Sequence, residues 1–191
     1  MSNLQSRTPF DAMYDINSDA ATPVSYKGTP GTNVTAYEYG TPWRRTTVLS
    51  LSSVSLPAIA GGADLGVGML VYTFPAGEVC VRDTYMSVAI QQADGNIDAD
   101  TPDVGIGTVI ASGVVAVLSG TATFENILTG QTAADCDGTA TVKTVDTPLV
   151  IATAGAHTVY LNVADGWAAS GEANGTVSGT IVLNWDFFSA S

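Results

Sequence analysis

The sequence predicts an all-β chain: an antiparallel two-sheet sandwich, jelly-roll-like or Greek key, preceded by an extended N-terminal arm. Three observations predict it. Short β-branched runs are punctuated by pairs such as Gly61-Gly62, Asp94-Gly95, Ser119-Gly120, Thr129-Gly130, Asp137-Gly138 and Asp165-Gly166. Most neighbouring marks lie roughly 8–12 residues apart, the rhythm of a sandwich or barrel. The last run alternates, with Val177, Ile181, Leu183, Trp185 and Phe187 on one face and Ser178, Thr180, Asn184 and Asp186 on the other, the pattern of a strand buried on one side. No stretch of about ten residues carries a helical period.

Residues 1–45 read as the arm. They hold four of the eight prolines, Pro9, Pro23, Pro30 and Pro42, and sustain neither a period of 2 nor one of 3.6. They also hold Arg7, Lys27, Arg44 and Arg45 against Asp11, Asp15, Asp19 and Glu38, so the arm is neutral and the body carries the whole net charge of −12. Phe10, Tyr14, Tyr26, Tyr37, Tyr39 and Trp43 are more aromatic surface than a solvated linker needs. These rings, with Arg44 and Arg45, are the expected contact set. Two arrangements satisfy them: docking on a neighbouring subunit, or folding back along the chain's own body.

Residues 46–191 read as the sandwich body. In residues 46–56 the apolar phase changes from Leu49 and Leu51 to Val54 and Leu56 across Ser52-Ser53, which a bulge or bend explains. Residues 67–74, VGMLVYTF, are less than half as long as a membrane-spanning helix, and no membrane partner is expected. Met86, Val88 and Ile90 form another inward face, as do Val159, Leu161 and Val163, with Thr158 and Asn162 outward. Gly-Thr pairs at Gly107, Gly120, Gly138, Gly175 and Gly179 have no fixed period, which excludes a solenoid. They read as strand openings, a turn residue followed by a β-branched one.

Composition narrows the chemistry. Only 13% of the residues are charged, 18 acidic and 6 basic. From residue 46 onward, Arg82 and Lys143 face fourteen carboxylates, which argues against a nucleic-acid partner because phosphate binding needs clustered cations. The opening MSNLQSRTPFDAMYDINSDA lacks a cationic stretch followed by an apolar run, so no secretory signal is expected and synthesis in a cytoplasm is. That compartment favours reduced thiols at Cys80 and Cys136 over one disulfide. His157, the one histidine, reads as a rim residue satisfied by backbone, since no nucleophile elbow accompanies it. Asp186 sits between Trp185 and Phe187 but on the opposite face, which argues against a catalytic acid with a raised pKa. No enzyme and no cofactor are expected.

Asp94, Asn96, Asp98, Asp100 and Asp103 fall within ten residues and could supply oxygens to calcium. The loop begins like an EF-hand, but Ile97 stands at the glycine position and Gly105 where a bidentate Glu is needed. A solvated acidic turn is the preferred reading. Asp135 and Asp137 are a second pair of possible donors.

The phrases DVGIGTVIASG, GTATFENILTG, DCDGTATVKT, AHTVYLNVADGW and GTIVLNW, together with an aromatic arm on a small acidic Thr/Gly-rich sandwich, resemble the capsid decoration (cement) and minor virion proteins of tailed bacteriophages. The resemblance covers nearly half the chain, residues 104–185, and rests on phrasing; it carries no functional residues to transfer. It implies a homo-oligomer, often a trimer, on the outside of the shell in contact with the major capsid protein. The rival expectations are a glycan-recognising fibre or adhesin module that could use calcium, and a tail or neck component.

Overall fold

The alternating runs become strands because each can bury one face against a second sheet. In the computed structural model, which describes residues 14–15, 28–58, 66–93, 95–112, 117–151, 157–164, 166 and 175–189, they form two antiparallel sheets packed against each other. The seven-stranded sheet runs β1 (Tyr14–Asp15), β3 (Val34–Gly40), β4 (Arg44–Ser55), β12 (Gly175–Ser189) and β6 (Glu78–Gln92). Both β9 (Asp137–Val145) and β10 (Leu149–Ile151) lie along the far side of β6. The five-stranded sheet runs β2 (Thr29–Pro30), β5 (Val67–Phe74), β11 (His157–Ala164), β7 (Asp103–Gly107) and β8 (Leu128–Thr132). One core lies between them, with Leu49, Met86, Ile106, Leu161, Ile181 and Trp185 among its members.

β12 buries Val177, Ile181, Leu183, Trp185 and Phe187 in a single phase. Its neighbours need bulges to keep pace. Opposite Ser178, β4 places both Ser52 and Ser53, with Ser53 at φ 49°. The inward set passes there from Leu49 and Leu51 to Val54, as the sequence indicates. Arg82 is the extra residue of β6, and the inward set changes there from Val79 and Val81 to Met86, Val88 and Ile90. Val71 does the same in β5. Each bulge resets which parity faces the core.

Part of the segment read as the arm lies in the seven-stranded sheet. Residues 34–40 are β3, fully registered against β4, and Arg44 and Arg45 open β4 itself. The cause is burial: Val34 and Glu38 point inward while Thr35, Tyr37 and Tyr39 point outward, an alternation that the prolines and glycines on either side obscure. Tyr14, described as backbone only, pairs with Gly40. Phe10, Tyr26 and Asp94 lie outside the described residues.

The Gly-Thr pairs divide. Gly138 and Gly175 open strands; Gly107 ends β7, Gly120 lies in a 3-10 turn and Gly179 sits inside β12. Thr129-Gly130 likewise lies within β8 rather than in a turn.

The five-stranded sheet carries a cover on its outer face. Residues 108–112 and 117–127 lie over it, with two 3-10 turns at Leu118–Gly120 and Ala122–Phe124. Asn162, outward on the central strand β11, is thereby fully buried. Its Oδ1 accepts from the Ala111 N–H at 2.9 Å, and its Nδ2 donates to the Val109 and Phe124 carbonyls at 2.9 and 2.8 Å. Glycine at 68 and 107 admits this cover, since a Cβ at either position falls 2.3 Å from Asn162 Oδ1 or from the Phe124 backbone.

Candidate functional site

The outer face of the seven-stranded sheet has no such cover among the described residues. One row crosses five strands as Tyr37, Val48, Val182, Tyr85 and Thr144. The next holds Tyr39, Thr46, Asn184 and Asp83. There Thr46 Oγ1 donates to Asn184 Oδ1 and Asn184 Nδ2 donates to Asp83 Oδ1, each at 2.5 Å. A third row pairs Arg44, Asp186 and Cys80. Asp186 Oδ1 lies 3.1 Å from Arg44 Nε and 3.3 Å from Arg82 Nε.

Tyr37 and Tyr39 stack side by side, ring centroids 5.9 Å apart. At the end of the face, Trp43, Arg44, Asp186, Phe187 and Phe188 line a shallow groove of about 470 Å³. Trp43 is 61% exposed, Tyr37 51% and Phe188 53%. On this face Asp186 is held between two guanidinium groups, on a chain whose net charge is −12. Burying a ring of this size on a partner contributes roughly 1.5–3 kcal/mol before ordering costs.

Of the expected contact residues, the structure brings Tyr37, Tyr39, Trp43 and Arg44 to this face and removes Arg45 from it. Arg45 shares its inward parity with Thr47 and Leu49 and is buried. Its guanidinium lies 5.0 Å from the Trp185 ring centroid and 5.9 Å from that of Phe187, donates to the Pro42 carbonyl at 3.2 Å, and pairs with Glu38 at 3.9 Å. Glu38 in turn accepts from the Tyr72 hydroxyl and from the Gly28 N–H. Burial, then the Glu38 carboxylate, pushes the Tyr72 phenol well above its usual pKa. Arg45 is therefore an interior group and not a contact. Counting parity back from Leu49 through Thr47 reaches it, and the same count applied to β6 and β12 finds Tyr85 and Val182, which sequence reasoning missed.

The described part of the acidic loop, residues 96–103, does not gather a ligand set. Ile97 is buried in the core, Asp100 is buried, and Asn96 and Asp98 are exposed. The backbone turns tightly through Asp98 N–H to Gly95 O at 3.3 Å and Asp100 N–H to Ile97 O at 2.9 Å. Asp103 accepts from Thr132 Oγ1 at 3.0 Å. Among the described residues no three His, Cys, Asp or Glu side chains gather as metal ligands. What the loop does meet is Cys136: burial, then Asp100, Asp135, Asp137 and Asp98, push its thiol up to about 12. Cys80 and Cys136 are both free and buried. His157 Nε2 lies 2.8 Å from the Gly77 carbonyl, the backbone satisfaction its position implied. Among the described residues no helix is long and apolar enough to cross a membrane.

No family model, no curated protein and no solved structure matches this chain.

Proposed function

We propose that the chain is a structural, non-enzymatic virion protein of a tailed phage, which decorates and stabilises the outer capsid surface and docks on the major capsid protein through the outer face of its seven-stranded sheet. The observation that carries this reading is the uncovered face itself. It offers Tyr37, Tyr39, Trp43, Tyr85 and Phe188 to solvent around the ion pairs of Arg44 and Arg82 with Asp186. Exposed aromatic surface of this extent marks an interaction site. Attachment by burial also tolerates salt, which screens exposed ion pairs. The acidic remainder of the surface keeps decorated particles apart.

The test is made on purified particles of the phage that encodes the sequence. The chain should be found in them in many copies. Particles stripped of it should take up purified wild-type chain and fail to take up the Tyr37→Ser, Trp43→Ser double variant. Absence from particles, or equal uptake of the double variant, would overturn the reading. A second reading, glycan binding by a fibre or adhesin module, is favoured by the groove beside Trp43, where an aromatic ring adjoins Asp186 and Arg44. Saturable glycan binding by the free chain, lost in Trp43→Ser, would support that reading instead.

A further inference from the structure

We propose that two copies of this chain pair antiparallel along β9, joining their seven-stranded sheets into one continuous sheet about a two-fold axis at Val142. This goes beyond the capsid reading and does not depend on it.

A bare strand edge is a template for pairing, and folded chains close their edges. The other open runs at described edges are shorter than β9: β1 covers only Tyr39 and Gly40 of β3, leaving residues 34–38, and β2 covers only Tyr72 and Thr73 of β5, leaving residues 67–70. β1 and β2 are two residues each, and β2 contains Pro30, which has no N–H to offer. In β8 the Gly130 N–H is taken by Glu125 Oε2 and the Gly130 carbonyl by Lys143 Nζ at 2.9 Å. β9 differs. It is nine residues long, pairs with β6 on one side, and has no strand on the other among the described residues. β10 prolongs the same edge beyond residues 146–148.

The chemistry of β9 is that of an edge left open. Its one cation, Lys143, would normally deter pairing, yet it reaches back to β8. The outward residues Ala140, Val142 and Thr144 are uncharged and exposed, Val142 by 55%. This is a neutral strip on a chain of net charge −12.

Symmetry selects the second copy as the occupant. With Val142 on the axis, Val142 meets its own copy, Ala140 meets Thr144, and Thr141 meets Lys143. No like charges stand opposite each other within the strand. Such an isologous contact is self-complementary, and it sets two β-branched valines opposite each other at its centre.

Native mass by light scattering after gel filtration tests this at about 0.15 M salt, where screening acts beyond about 8 Å. The wild-type chain should have twice its 19.5 kDa mass. Val142→Lys and Val142→Glu place like charges on the axis, and each variant alone should run at half the wild-type mass. Mixed in equal amounts they should recover the doubled mass as a heterodimer. Val150→Lys, on the same edge but away from the axis, should keep it. A wild-type monomer or trimer, or single Val142 variants that retain the doubled mass, would overturn the pairing. Particle uptake by the wild-type chain reports on the capsid reading separately, so either proposal can fail alone.

Discussion

The outer faces of the two sheets are finished differently. On the five-stranded sheet residues 108–112 and 117–127 lie over the strands, and Asn162 ties them down with three hydrogen bonds. On the seven-stranded sheet the corresponding outward positions are Tyr37, Val48, Val182 and Tyr85, and nothing described lies over them. Both faces follow the same alternation. What separates them is whether a connection crosses the face, so an outward polar residue ends up buried in one sheet and outward rings stay in water in the other. Among the described residues the seven-stranded sheet is the uncovered one.

The largest expected effect probes the inside of that uncovered sheet and calibrates its outside. Arg45→Met leaves Glu38 buried without its cation, and should lower unfolding free energy in urea by about 3–5 kcal/mol. The adjacent Arg44→Met removes a solvent-exposed partner of Asp186 and should cost less than about 1 kcal/mol. Equal losses would mean that the two faces of β4 are not as distinct as their burial indicates.

Asn162→Ala comes next. It strands the Ala111 N–H and two carbonyls beneath the cover, for a loss of about 2–4 kcal/mol. Amide exchange at Ala111 should accelerate well beyond that of core amides. Unchanged exchange there would mean that the cover is held by its small apolar cluster, Ala111, Leu118 and Ala164 with Phe124, rather than by Asn162.

How much of this was legible follows from particular residues. β12 shows its phase without interruption, so its inward face can be read directly, and the Ser52-Ser53 bulge can be read from the phase change around it. The two GTAT segments mark the limit. Gly120 ends one 3-10 turn, Thr121 is extended and residues 122–123 open the next, whereas residues 138–141 lie in β9; the same four side chains take their structure from what they pack against. Arg45 and Asn162 were hidden for a related reason. A polar residue is buried when a distant partner satisfies it, and Glu38 with Trp185, or the cover over β11, come from elsewhere in the chain. The outer face of the seven-stranded sheet was half legible: Tyr37, Tyr39 and Trp43 stood out as aromatics, and parity turns Tyr85 and Val182 outward, while the sheet order is what sets them in one row with Tyr37.

Between the sheets, two buried acids respond to alkali in the same direction. The folded chain favours the protonated Cys136 thiol, whose pKa rises from 9.0 to about 12, and the protonated Tyr72 phenol. With the folded pKa above the unfolded one, that stability is complete below about pH 9 and is lost as pH rises towards about 12. The melting temperature should hold up to the lower value and fall beyond it, and iodoacetamide at neutral pH should label Cys136 only after unfolding. A melting temperature that rises with alkali would contradict the burial of both groups.

The smallest stability effects belong to the exposed rings. Tyr37→Ser, Trp43→Ser and Tyr85→Ser should each change unfolding free energy by no more than about 0.5 kcal/mol, while weakening any attachment made through the face. A large destabilisation would show that these rings already pack on their own chain.

Hydroxyl-radical footprinting of the chain, free and on particles, tests the central claim most directly because it reads both outer faces in one experiment. The account predicts that Tyr37, Tyr39, Trp43 and Tyr85 are strongly oxidised in the free chain and protected on the particle, while Val109 and Ile110 on the cover, exposed in the free chain, remain as reactive as before. Protection of Val109 and Ile110 with the four rings still open would contradict it and assign docking to the opposite sheet.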